Sequence, residues 1–414
     1  MFSANFSSTL SLYSNMGNEV SPGTPMALAC DMLDKLPSNI WSDPNKTFLE
    51  PSFSSGGIYF KIVEKLYNGL EEVIPNPKER LKHILTKQVW AYEMNEVPYL
   101  FVKKMLYKQF GLQKELDAEP NLYYNNILEE QLDMKFDIIV MNPPYQAPQD
   151  ATGKRGGGDL LWHKFVEKSI NEWTKEDGYV CAVHPSGWRK PESDRSKYKG
   201  LYSLMAHEHQ MEYLEIHDTK DGMKTFGAGT RYDWYTIAKG KTGPTTVKDQ
   251  NGVISQVNLA QYDWLPNHSF DMVFGLIGDG GTIIYDRGAY GTDKSRSWTK
   301  KEKDQTFKYP LVHTTTKKGN KFWYSNRNDN GHFGVSKAIF GDSGINDVII
   351  DTKGNFGMTQ HAMAIPVKNK KDAVLLRDFL MSENFKDILS ACSWSNFQID
   401  WRMFLSFKEG FWRD

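Results

Sequence analysis

Over roughly the first 240 residues, short apolar runs alternate with longer amphipathic stretches. The runs at 47–49, 89–92, 136–141, 179–184, 213–217 and 232–238 read as strands, and 25–36, 57–70, 96–109, 162–173 and 199–207 read as helices. Thr24 is placed to cap the first helix, and Pro25 suits its first turn. Strand followed by helix, several times over, predicts a parallel α/β sheet with helices on both faces. No internal repeat is evident. Beyond residue 240 the pattern changes: through 294–354 Gly, Asn, Asp, Lys and aromatics mix without clear periodicity. Lys300, Lys301 and Lys303, then Lys317, Lys318 and Lys321, interleave there with Trp298, Phe307, Tyr309, Phe322, Trp323 and Tyr324. One last helical stretch is expected at 371–385. The boundary falls between Lys239 and Trp264, dividing residues 1–255 from an α+β region at 256–414.

A chain of 414 residues suits two or three domains. At 40% hydrophobic and 24% charged it is globular in composition, which excludes a collagen, a coiled coil or a mainly disordered chain. The 50 Lys and Arg nearly cancel the 51 Asp and Glu, so any nucleic-acid surface must come from local clustering. Cys30, Cys181 and Cys392 are far apart and form no CxxC pair, which suggests a reduced setting without structural zinc. No apolar run reaches the ~18–20 residues a bilayer needs, and no signal peptide is read at the N-terminus. A soluble, cytoplasmic protein without a membrane partner is therefore expected. No histidine pairs with Cys or carboxylates at metal-ligand spacing, so no metal is expected either.

The strongest chemical signal is Phe136-Asp137-Ile138-Ile139-Val140-Met141-Asn142-Pro143-Pro144-Tyr145. Two prolines fix φ and remove two N–H donors, so the chain leaves the strand as a stiff, extended turn. In a parallel α/β sheet, ligands sit at the carboxyl ends of strands. The turn then presents the Asn142 side-chain oxygen and the Pro143 carbonyl to a cleft, with Tyr145 beside them. Two acceptors and an aromatic plane suit a planar amine. A proline-stiffened loop with an aromatic anchor is the plainer alternative, and the strand directly before the turn favours function.

These residues resemble the catalytic motif of S-adenosylmethionine-dependent adenine-N6 DNA methyltransferases. Further matches follow the γ-class order over roughly residues 20–240. Thr24-Pro25 and the helix after it resemble the N-terminal cofactor motif. Phe48-Leu49-Glu50-Pro51-Ser52-Phe53-Ser54-Ser55-Gly56-Gly57 resembles the Asp-Pro-x-x-Gly-Ser-Gly loop, with Glu50 in place of Asp and Ser54 in place of the first Gly. A small-residue turn lets the backbone approach the methionine part of the cofactor, and Ser54 requires a permissive backbone angle. The resemblance thus implies cofactor contacts from Thr24, Pro25, Glu50, Ser52, Ser54 and Gly56. It implies a ribose contact from Glu93 at the end of the second strand, and an adenine contact from Asn126 or its neighbour Asn125. Phe165, in Leu160–Phe165, is placed beside the cofactor, although its helical spacing suits core packing too. The segment Gly178–Pro185 matches the strand that follows in the family. Phe226, just before 232–238, is the candidate to pack on the target adenine opposite Tyr145. Lys154 and Arg155, in a Gly-rich loop after the catalytic turn, are candidates for DNA phosphates.

The fold implied is a Rossmann-like methyltransferase sheet followed by a target-recognition domain. The implied activity is methyl transfer from S-adenosylmethionine to the N6 amine of a flipped-out adenine at a specific site in double-stranded DNA. Asn142, Pro143, Pro144 and Tyr145 would form the catalytic turn. A separate restriction endonuclease is an implied partner, and no fused nuclease is read ahead of residue 20. Two rival readings are a protein glutamine-N5 methyltransferase, which lacks a large C-terminal domain, and a catalytically weak or silent DNA-binding specificity subunit, against which the intact turn argues.

Overall fold

Nine strands form one sheet in a computed structural model that describes residues 23–110, 119–146, 160–194, 196–293, 296–394 and 398–413. They are β1 (Phe48–Glu50), β2 (Val89–Glu93), β3 (Leu122–Tyr124), β4 (Phe136–Met141), β5 (Thr174–Pro185), β6 (Gln210–His217), β7 (Tyr232–Ala238), β8 (Thr245–Lys248) and β9 (Ile254–Val257). Their order is β3-β2-β1-β4-β5-β7-β6-β8-β9. The pairs from β3 to β5 are parallel, whereas β7 is antiparallel to both its neighbours. Parallel strands covered on both faces need near-continuous apolar runs, and β4 supplies one, with only Asp137 partly exposed. The chain is mixed α/β, with this large, mostly parallel sheet and two smaller sheets.

The helices of this unit are α1 (Met26–Asp34), α2 (Gly57–Gly69), α3 (Pro77–His83), α4 (Glu96–Phe110), α5 (Trp162–Lys168), α6 (Leu201–Ala206) and α7 (Thr219–Phe226). Three expectations need correction. Pro25, not Thr24, is the N-cap of α1, and no side-chain bond caps that helix. The expected helix at 162–173 is α-helical only to Lys168; a π-turn, Ser169–Trp173, follows and ends where the Thr174 hydroxyl donates to the Ser169 carbonyl (2.6 Å). Strands β3, β8 and β9 and helices α3 and α7 were not expected. In β3 only Leu122 is buried, and in α7 only Gly222 is.

The chain divides into two units: the first runs to Asp263 apart from Arg189–Glu192, which belong with Trp264 onward. The second unit has a four-stranded sheet, β10 (Thr299–Lys300), β12 (Lys321–Ser325), β11 (Tyr309–Thr314) and β15 (Gly357–Met358), in that order. A three-stranded sheet joins β14 (Ile349–Asp351), β13 (Lys337–Gly341) and β16 (Ala362–Pro366). The expected helix at 371–385 is instead two, α8 (Lys370–Leu380) and α9 (Glu383–Ala391), because Ser382 caps the second, its hydroxyl accepting the Phe385 N–H (3.2 Å). Phe340, Phe385, Phe404, Phe407 and Phe411 form the centre of this unit's core. Among the described residues, no helix is long and apolar enough to cross a membrane.

One polar cluster ties β1, β4 and β5 together at their amino ends. Asp137 accepts from Lys175 Nζ (2.7 Å), from the Thr47 N–H (3.0 Å) and hydroxyl (2.8 Å), and from Lys46 Nζ (3.2 Å). Burial pushes this carboxyl up, but those donors outweigh burial and hold it down at about 2. A depressed carboxylate contributes stability above its unfolded value that is lost as pH falls through the folded one. Asp137→Asn should therefore lower stability at neutral pH by about 1–2 kcal/mol, discounted for the partly exposed lysines. Denaturant titrations should also show a shallower loss of stability between roughly pH 4 and 2 than in the wild type.

Candidate active site

Strand order reverses between β1 and β4, and a crevice opens there at the carboxyl ends. The β1–α2 turn forms one wall. Ser54 adopts φ 49° and Gly56 φ 88°, both left-handed. With Ser54 so placed, its N–H donates to Glu93 Oε2 (2.8 Å). The other carboxylate oxygen accepts from the Asn95 N–H (2.8 Å) and Nδ2 (2.7 Å). Glu93 is thus fixed at the end of β2 by the turn beside it and the first residues beyond its own strand. Beneath the turn lie buried polar atoms without a hydrogen-bond partner: Glu50 Oε2, Ser54 Oγ, Ser55 Oγ and the Tyr59 hydroxyl. Burial, then the nearby Glu93 charge, pushes the Glu50 carboxyl well above the usual carboxylate range.

The opposite wall follows β4. Asn142 is half-buried, and its Nδ2 donates to the Thr24 hydroxyl (3.1 Å). Among the described residues nothing donates to Asn142 Oδ1 or to the Pro143 carbonyl. The Tyr145 hydroxyl is buried without a partner, and burial raises its pKa. Its backbone carbonyl accepts the Leu161 N–H (3.2 Å), and Gln146 bridges to Leu160.

Helix α7 brings in the third wall. Asp218 caps it, accepting the Lys220 and Asp221 N–H groups (3.0 and 2.8 Å). Asp221 accepts the Tyr232 hydroxyl (2.5 Å), and His217 stacks on the Tyr232 ring (4.3 Å between centroids). Gly222 is required because a Cβ there would lie 2.1 Å from the Thr230 carbonyl oxygen. Phe226, at the helix end, packs edge-on against Tyr232 (4.9 Å).

These walls enclose a cavity of about 340 Å³, a size that suits a small organic ligand. Of the residues singled out in the sequence, Ser52, Ser54, Glu93, Asn142, Pro143, Pro144, Tyr145 and Phe226 line it. The others do not. Thr24 stands behind Asn142, with Pro25 next in the chain; Glu50 is buried below the turn; and Gly56 begins α2. Asn126 spends its amide on its own turn, Oδ1 accepting the Leu128 N–H (3.2 Å) and Nδ2 donating to Glu129 (2.7 Å). The alternative, Asn125, bonds Glu130. Phe165 is buried edge-on against Trp173 (6.4 Å), a core position. Lys154 and Arg155 lie outside the described residues. Asn95, Pro98 and Ala228 also line the cavity and were not singled out. Nearness to Glu93 was the available signal for Asn95; Pro98, in the first turn of α4, and Ala228, at a bend, gave none.

The first unit is therefore an α/β domain with a ligand-sized cavity at its switch point. Residues 27–226 match the model of the Eco57I restriction-modification methylase family. An uncharacterized adenine-specific methylase of Mycoplasma pneumoniae is 24% identical over 43% of this chain and 58% of its own length. The chain thus spans less than two thirds of that relative. Among solved structures, the M protein of the type I restriction enzyme EcoKI is 16% identical, with 58% of this chain and 50% of that chain covered and a TM-score of 0.41. The type IIL restriction-modification enzyme MmeI, in complex with DNA, is 11% identical, with 98% of this chain and 65% of that chain covered and a TM-score of 0.47.

The turn at Gly56 yields a direct test. A Cβ at this left-handed position would approach Val102 Cγ2 of α4 to 2.8 Å. Gly56→Ala should therefore destabilise the protein by about 1–3 kcal/mol through backbone strain and overpacking, read as a lower melting temperature. Gly227→Ala shares the backbone sign but has no atom within 4 Å of the added carbon, so it should cost only about 1–2 kcal/mol.

Proposed function

We propose that this protein transfers a methyl group from S-adenosylmethionine to the N6 amine of an adenine flipped out of double-stranded DNA. The observation that carries the reading is the pair of uncommitted acceptors, Asn142 Oδ1 and the Pro143 carbonyl, on a cavity wall that also carries Tyr145 and Phe226. The family match over residues 27–226 supports it.

The residues present fit the cofactor. The anchored Glu93 carboxylate would take the ribose hydroxyls, and the Ser52–Ser54 turn, with the buried Glu50 carboxyl below it, would hold the methionine end. The cofactor supplies an electrophilic methyl group on a sulfonium. The rest falls to this chain. An exocyclic amine is a poor nucleophile because its lone pair is delocalised into the ring. Asn142 and Pro143 accept its two hydrogens, favouring a tetrahedral nitrogen with the lone pair directed at the methyl group. They also stabilise positive charge as it develops there. The rings of Tyr145 and Phe226 stack on the base, offsetting the few kcal/mol that unstacking costs. The second unit, with Lys317, Lys318 and Lys321 exposed beside the half-buried Trp323, would contact DNA phosphates and select the site. A separate nuclease would complete a restriction-modification pair.

Purified protein, labelled cofactor and duplex DNA should give N6-methyladenine, and sequencing sensitive to modified adenines should return one recognition sequence. No methylated base at any sequence would reject the reading. Asn142→Ala should keep DNA and cofactor binding while slowing single-turnover methylation on the order of 10²–10³-fold. Tyr145→Phe should retain most activity, since the hydroxyl has no partner to lose. Tyr145→Ala should lose about 1–3 kcal/mol of stacking, seen as weaker 2-aminopurine fluorescence at the target base.

DNA affinity should also fall steeply with salt, by a slope of roughly −0.9 per phosphate neutralised. Replacing Lys317, Lys318 and Lys321 together by Ala should flatten that slope, by roughly one for each phosphate that is no longer neutralised. An unchanged slope would take these lysines out of the interface.

A further inference from the structure

Asn142 has to present one particular end of a nearly symmetric amide to the cavity, and its immediate neighbours do not decide which. An asparagine side-chain oxygen ordinarily captures the backbone N–H two residues on, forming a local turn. Here that position is Pro144, and the intervening residue is Pro143, so neither has an N–H to give. The next donor along the chain, the Tyr145 N–H, makes no bond to Asn142 among the described residues. The two prolines therefore leave the Asn142 oxygen uncommitted, and they also leave the amide free to turn over about its last torsion.

In the structure one contact holds the amide in one of its two senses. Asn142 Nδ2 donates to the hydroxyl of Thr24, 118 positions earlier in the chain, at 3.1 Å. Thr24 is itself only 5% exposed. It is held where α1 begins, and α1 is anchored by buried Ala29, Met32 and Leu33 and by Cys181 Sγ of β5, which donates to the Met32 carbonyl (3.6 Å). With Nδ2 committed to Thr24, Oδ1 is the end that faces the cavity. A flipped amide would point two N–H groups at an amine that itself needs acceptors.

We infer that Thr24 is a positioning residue: its hydroxyl fixes the amide of Asn142 with the oxygen toward the substrate amine. This inference rests on the methyl-transfer reading and gives Thr24 a task other than holding the cofactor.

The test uses full-length protein and the isosteric change Thr24→Val, which keeps the volume at a buried site and removes the acceptor. Single-turnover methylation at saturating cofactor should fall on the order of tenfold, the scale of one neutral hydrogen bond. Duplex affinity and calorimetric affinity for S-adenosylhomocysteine should stay at wild-type values, the melting temperature should fall by no more than a few degrees for one lost hydrogen bond, and Thr24→Ser should recover most of the rate. In an Asn142→Ala background Thr24→Val should cost nothing more, because the group it acts through is gone. A second readout needs no turnover. The side-chain amide protons of Asn142, assigned by their disappearance in Asn142→Ala, should exchange with solvent faster in Thr24→Val. Wild-type methylation in Thr24→Val, losses that multiply with Asn142→Ala, or a defect confined to cofactor affinity would each overturn the inference. So would unchanged amide exchange. Failure of the wild type to methylate DNA would instead strike the functional reading, while the exchange measurement would still decide what Thr24 does to Asn142.

Discussion

Two parallel strands side by side, β1 and β4, set the conditions for the rest of the first unit. From β1 the chain next pairs outward in β2, and from β4 outward in β5, in opposite directions along the sheet. Among the described residues, the turns leaving both strands face a common space at their carboxyl ends. That space is where the β1–α2 turn and the Asn142–Tyr145 turn meet. The Asp137 cluster at the other end of the same strands fixes their spacing, with Thr47 just before β1 and Lys175 in β5 bonded to one carboxylate of β4.

The two turns treat their polar groups in opposite ways. Glu93 is saturated: three N–H bonds from Ser54 and Asn95 hold both its oxygens, so its position is fixed before any ligand arrives. The Asn142 turn instead withholds partners, because its prolines remove the donors that would quench Asn142 Oδ1. A buried polar group without a partner costs about 1–3 kcal/mol, and Glu50 Oε2 and the Tyr59 hydroxyl beneath the first turn are such groups. Such groups are stable neighbours only when the surrounding core over-determines them, which the largely buried β4 and the buried face of α2 do.

How much of this could be read from the sequence depended on whether the information was local. Strands β2, β4 and β7 are apolar runs that end in distinctive residues, so both the strands and the cavity residues just beyond them, Asn142 through Tyr145, were legible. So was the demand that Ser54 places on its backbone, since a serine in a glycine position must take the glycine's angle. The partner of Asn142 was not legible, because nothing in Thr24-Pro25 distinguishes a helix cap from a hydroxyl committed to a residue 118 positions away. Asn126 and Phe165 illustrate the opposite limit. Each has the side chain a cavity would use, but Asn126 is committed to its own turn by hydrogen bonds and Phe165 to the core by burial, and neither commitment is written in the local sequence. Helix α7 escaped notice because it buries no apolar stripe and is held by side-chain bonds.

That manner of attachment makes the two rings at the cavity unequal. Tyr145 extends from a turn rooted in β4, where both faces of the strand are covered, and its hydroxyl is enclosed even though it bonds to nothing. Phe226 ends a helix with one buried residue, tethered through Asp221 to Tyr232 and capped by Asp218. Segments with few buried apolar contacts open at lower free-energy cost than those rooted in a core. The wall carrying Asn142 and Tyr145 is therefore the more firmly rooted of the two, and the Phe226 wall is the one displaced at lower cost. A rigid acceptor pair opposite a compliant ring suits a ligand that must enter edge-first and then be held flat. On the methyl-transfer reading, the geometry of the rooted wall, more than the stacking ring, would set where the reacting nitrogen lies.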